Sequence, residues 1–209
     1  MGAYSCSLTC SYRCATAKAG GTFSGGTLVA ALKVIDIGSP EGEPSPLARR
    51  VEEVETLFAS ADVQTRLHSD MLHYLWVQCA MTGGPWAALV QAGSFDAMLN
   101  DSDATSKAMI AACDCLQVVK RRRVVLSRYP ETRLFLTNSA LRRRVNIWMT
   151  RWMFRHDEYT KRCSAHSFGD PAEVRTFYDD LIATGHGLGV SMPVMESYAE
   201  AVRRFATTA

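Results

Sequence analysis

The chain has 209 residues, 47% hydrophobic and 21% charged, which suits one globular domain with a buried core. A formal net charge of +2 gives no electrostatic case for a nucleic-acid or membrane partner. Seven cysteines, an odd number, and no leader at Met1 predict reduced thiols in a cytoplasmic protein, and no apolar run has the length of a membrane span.

Residues 5–14, SCSLTCSYRC, alternate strictly, with Cys6, Leu8, Cys10, Tyr12 and Cys14 on one side. Period two predicts a half-buried strand, and its cysteines read as small core hydrophobes. Evenly spaced cysteines on a strand lack the CxxC turn of a metal site. FSGGTLVAALKVIDIG, 23–38, supplies further strand, with a hairpin or bulge at Gly25-Gly26. SPEGEPSP, 39–46, is the clearest boundary in the chain.

Beyond it the pattern is helical. Leu47, Val51, Val54, Leu57 and Phe58 recur at spacings of three and four. Residues 69–92 form the next helical stretch, with Ser69 as N-cap and with Gly83, Gly84 and Pro85 expected to bend or break it. A third helix follows from Ser102 or Asp103, and a long basic, aromatic one runs over 139–163. Pro171, suited to a first helical turn, opens another that ends in GHGLG, and a short last helix starts near Pro193. The organisation is therefore a short β segment (1–38), a loop (39–46) and a helical domain (47–209).

The runs KRRR at 120–123 and RRR at 142–144 read as solvated helix faces. Trp148 and Trp152, four residues apart, read as core or interface anchors. The five histidines form no HExxH or comparable metal spacing, and HDE at 156–158 points in divergent directions on a helix. GHGLG does not follow a strand and is a helix exit, not a phosphate cradle. The unusual feature is LWVQCAMTGGPWAAL, 75–89, where Gln78 and Thr82 place two polar groups on one face of an apolar helix. Each costs about 1–3 kcal/mol if buried without a partner. Either neighbours or the i−4 carbonyl satisfy them, or the face is a reaction site.

The order of the pieces resembles the C-terminal helical domain of ketopantoate reductase, an NADPH-dependent enzyme of pantothenate synthesis. The resemblance runs from IDIG through LHSDMLHYLWVQCAM to PAEVRTFYDDLIATGHGLGVSMP, roughly Thr22 to Phe205. It implies a mainly α fold: a helical bundle preceded by a short β element. The family carries Trp-x-Lys-Leu-x-x-x-Asn in its first long helix. Trp76 matches the tryptophan, while Gln78 stands in place of the catalytic lysine and Thr82 in place of the substrate-binding asparagine. Glu173, twenty residues before Pro193, matches the catalytic glutamate, and Ser164 or Ser167 matches a substrate-binding serine.

Two departures shape the expected function. A lysine ammonium can stabilise a developing alkoxide and supply a proton, whereas a neutral glutamine amide is a poor acid. The family's Rossmann half carries GxGxxG in its first turn, and this sequence has none. The first expectation is therefore a non-redox enzyme acting on a carbonyl compound, a cyclase, isomerase or lyase of secondary metabolism. It would use Glu173 as acid or base, with Gln78 and Thr82 binding a small-molecule substrate and with no cofactor or metal. The alternatives are a non-catalytic dimerisation or binding module and a truncated reductase, the one case that calls for NADPH. A homodimer is expected, since a cysteine-rich strand could pair with another chain.

Overall fold

The computed structural model describes residues 34–39, 48–137, 139–156 and 171–207. The strand expected at 5–14, most of the 39–46 loop, and Ser164 and Ser167 lie outside them. The chain divides into two compact units, Met1–Leu75 and Trp76–Ala209.

In the first unit, strand β1 (Val34–Gly38) pairs in parallel with β2 (Gln64–His68), and helix α1 (Ala48–Ser60) is the crossover between them. The apolar VIDIG run buries Ile35 and Ile37. Strand β2 is not legible in the sequence: QTRLH has a single aliphatic residue, Leu67, and that side chain is exposed. Its partner strand makes it a strand, not its own pattern. Gly38 lies opposite His68, and a Cβ there would run into the His68 carbonyl, so the pair closes only on glycine.

Helix α2 spans Met71–Ala92, its first five residues in the first unit and the rest in the second. Its cap is Asp70 and not Ser69: the Asp70 carboxylate accepts the His73 N–H at 3.0 Å. The expected break at Gly83-Gly84-Pro85 does not occur, and the helix continues through Pro85. Packing explains the two glycines. A Cβ on Gly83 would meet Leu181, and one on Gly84 would meet the backbone of Ala111 and Ala112. Proline inside a helix costs about 3 kcal/mol. Burial of Val77, Ala80, Ala87, Ala88 and Leu89 on the same helix opposes that cost.

The rest of the second unit is helical: α3 (Phe95–Asn100), α4 (Ser102–Arg121), α5 (Ala140–Arg155), α6 (Pro171–Gly187), α7 (Pro193–Glu196) and α8 (Ala199–Thr207). Asp101, one residue before the expected start, caps α4 by accepting the Asp103 and Ala104 N–H groups at 2.8 and 3.2 Å. Ser139 caps α5 as its position suggests. Helix α4 forms the centre of the core, with Ala111, Cys115, Leu116, Val118 and Val119 fully buried. Leu181 of α6, Met195 of α7 and Val202 of α8 belong to the same cluster. Of the two readings of Trp148 and Trp152, core or interface anchors, the core one fails: they are 66% and 60% exposed. The KRRR run is solvent-facing as expected. Among the described residues no helix is long and apolar enough to cross a membrane.

Candidate functional site

The polar pair on α2 has a local explanation for its hydroxyl. Thr82 Oγ1 donates to the Gln78 carbonyl at 2.7 Å, so the hydroxyl is satisfied within its own helix. Gln78 and Thr82 are both half-buried. One turn further along the same stripe lies Trp86, whose ring meets Phe177 of α6 edge to face at 5.5 Å. Trp76, the match to the family tryptophan, is half-buried under the Arg122 guanidinium, 4.0 Å from the ring centroid.

Helix α6 presents the complementary stripe Glu173, Phe177 and Leu181, four residues apart. Glu173 sits half-buried in the first turn after Pro171, where a helix favours a carboxylate. Leu181 faces Gly83 and Phe177 faces Trp86, so the two stripes run in opposite senses. Glu173 therefore falls one turn beyond Phe177, on the Trp86 side of the crossing. Gln78 falls on the other side of Gly83. The two helices bring the stripes together at Trp86 and Phe177 but set Glu173 and Gln78 at different levels. Eight residues of α2 separate Gln78 from Trp86, about 12 Å of helix.

Groups around the crossing are inert at neutral pH. Burial, reinforced by the charge of Asp180, pushes the Cys79 thiol up to about 12, and burial raises Cys115 further still. Neither is a thiolate nucleophile. Burial also pushes Tyr178 up to about 12, and its hydroxyl donates to the Met195 carbonyl at 3.0 Å. Asp114 holds the short α7 by accepting the Val194 and Met195 N–H groups at 3.1 and 3.3 Å. Half-burial raises its carboxyl, and the two N–H bonds act against that rise. Among the described residues no three His, Cys, Asp or Glu side chains converge as metal ligands.

Sequence reasoning missed the most polar buried group in the first unit. Asp36, 1% exposed, accepts from Tyr74 Oη at 2.8 Å and lies 2.7 Å from His68 Nε2. Arg66 Nη1 approaches at 3.5 Å, and the His68 and Tyr74 rings stack at 3.8 Å. The available signal was an aspartate inside an apolar strand run, VIDIG. This carboxylate is enclosed by its partners and holds the strand pair together; it is not placed to meet a ligand. In the sequence the connection leaving β1 reads SPEGEPSP, with two glutamates and one glycine.

No family model and no curated relative matches the sequence. A crystal structure assigned as a ketopantoate reductase from Ralstonia solanacearum MolK2 matches it with a TM-score of 0.57 at 17% identity, over 86% of this chain. The match covers 49% of that protein, so the chain spans about half its length. What the two share is the fold, and the chain has the mainly α, ketopantoate-reductase-like architecture that its motifs resemble.

Proposed function

We propose that the chain is a non-redox enzyme that moves a proton next to the carbonyl of a small substrate, the step shared by isomerases, cyclases and lyases. Glu173 is the acid or base. Gln78 offers a carboxamide to a second carbonyl oxygen of the substrate, remote from the reacting one, and Thr82 offers its oxygen as an acceptor while its proton stays on the Gln78 carbonyl. Ser164 or Ser167, shortly before Glu173, would add a hydroxyl. The supporting observation is the Trp86–Phe177 contact, which sets the stripe bearing Gln78 and Thr82 against the stripe bearing Glu173. With a neutral residue at position 78 and no GxGxxG motif in the sequence, no hydride step is drawn. Because Glu173 and Gln78 lie at different levels of the crossing, the carbonyl whose neighbouring proton moves lies beside Glu173, and Gln78 holds a part of the substrate remote from the reacting carbon.

Incubation in D2O with dicarbonyl compounds whose two carbonyl groups are joined by a long chain, followed by NMR, tests this directly. Exchange at the carbon beside the carbonyl, lost in Glu173→Gln with an unchanged circular dichroism spectrum, is the expected result. Equal exchange in the variant removes Glu173 from the mechanism. Saturable NADPH binding by calorimetry would restore the reductase reading. The homodimer remains part of the proposal, to be tested by analytical ultracentrifugation.

A further inference from the structure

Helix α5 is built inside out. Leu141, Val145, Trp148 and Trp152 are 72%, 51%, 66% and 60% exposed. Their spacings of four, three and four are those of a heptad seam. The opposite face points inward and is the more polar one: Asn146 is buried and donates to the Leu134 carbonyl at 2.8 Å, and Arg143 and Thr150 are half-buried there. If Val145 and Trp152 take the a positions, Arg142 flanks the seam at e, and Arg144 and Arg151 flank it at g. Arg151 is bound to the Leu99 and Asn100 carbonyls, but among the described residues neither Arg142 nor Arg144 has a carboxylate partner. The helix contains five arginines, no lysine and no acidic residue.

We infer that the outer face of α5 docks an amphipathic helix of another protein, one with an apolar seam and acidic residues along its edges. Three observations select this occupant. Edge charges set partner choice at such seams, and every charged residue at these edges is an arginine, with Met149 at the remaining e position. An antiparallel second copy would bring Arg144 toward Arg151 of the other helix, so that self-pairing is opposed by like charge, and a parallel one would set Arg144 against Met149 with no charge pairing to favour it. The composition, with Trp, Met and Arg present and Lys absent, is that of protein interfaces. Trp148 also walls a shallow groove with Ser102, Asp103 and Ser106, which can receive one side chain of the incoming helix. The seam spans Leu141 to Trp152, about three turns, which suits a transient partner.

The test uses the full chain and two synthetic helical peptides with the same leucine seam, one with glutamate and one with lysine at the e and g positions. Tryptophan emission is followed in titrations at low and moderate salt. We expect saturable binding of the glutamate peptide, weakened several-fold by salt, and at least tenfold weaker binding of the lysine peptide. Trp148→Ala should weaken binding about tenfold, and an Arg142→Glu, Arg144→Glu variant should prefer the lysine peptide. Absence of binding, or equal binding of both peptides, overturns the proposal. So does self-association abolished by Trp148→Ala, which assigns the face to a second copy, or Trp148-dependent binding to phosphatidylglycerol vesicles with no peptide binding, which assigns it to a lipid surface.

Discussion

Helices α2 and α5 break the ordinary amphipathic rule in opposite directions. Helix α2 is apolar on nearly every side, and its polar exceptions Gln78 and Thr82 are half-buried. Helix α5 turns its apolar stripe outward and its amide inward. A globular helix normally buries its apolar stripe because removing it from water contributes about 25 cal/mol per Å². The two cases show that composition sets how much apolar surface a helix has, while its neighbours decide which part of it is covered. In α2, glycines at 83 and 84 let α6 and α4 approach. In α5, the Asn146 bond and the Phe154–Phe95 ring contact at 6.0 Å hold the inner face and leave the tryptophans free.

Several substitutions would break or sharpen this contrast. The largest effect is expected on α2. Gly84→Val would drive a side chain into the α4 backbone, where the neighbour cannot move aside. We expect a loss of about 3 kcal/mol or more, read by urea unfolding. Leu181→Ala, which empties the space over Gly83, should cost about 3 kcal/mol by the same measurement. On α5 the inner face should matter and the outer face should not. Asn146→Ala leaves the Leu134 carbonyl unpaired and should cost about 1–2 kcal/mol. Trp148→Gln should change stability by no more than about 0.5 kcal/mol while weakening partner binding. A large stability loss from Trp148→Gln would mean that the stripe is covered within the chain.

Cys79 gives the contrast a pH axis. Its thiol is held near 12, against an ordinary 9.0, so the folded state keeps a proton that the unfolded state releases above about pH 9. The unfolded state then binds fewer protons. Stability is fully present below that pH and declines as pH rises toward 12. Unfolding curves at pH 8 and pH 10 should show the decline, and Cys79→Ser should reduce it. Iodoacetamide at pH 8 should label Cys79 only after unfolding, as mass spectrometry would show. A small effect of the opposite sign is expected at Arg123, which closes α4 at a φ of +65°. Arg123→Gly should stabilise by roughly 1 kcal/mol, because a side chain in the left-handed region costs about that much.

Much of the fold was legible. The α6 start at Pro171 follows from its fixed φ, and the amphipathic α1 from its spacing of three and four. The site was legible only as residue types. The sequence placed Gln78 and Thr82 on one stripe, since a helical repeat alone dictates that, and it pointed to Glu173 by a family spacing. It did not indicate that the Thr82 hydroxyl folds back on the Gln78 carbonyl, or that Phe177 and Trp86 set the level at which the helices meet.

By itself, then, the sequence determined the helical content, most element starts and the apolar supply of each helix, because these depend on residues within a turn or two of one another. Tertiary structure decided the rest. It made QTRLH a strand by pairing it with VIDIG, enclosed Asp36 between His68 and Tyr74, and carried α2 through Pro85. It also turned the tryptophans of α5 outward. Each of these depends on contacts between residues distant in sequence, whose free energy exceeds the few tenths of a kcal/mol by which local propensities differ.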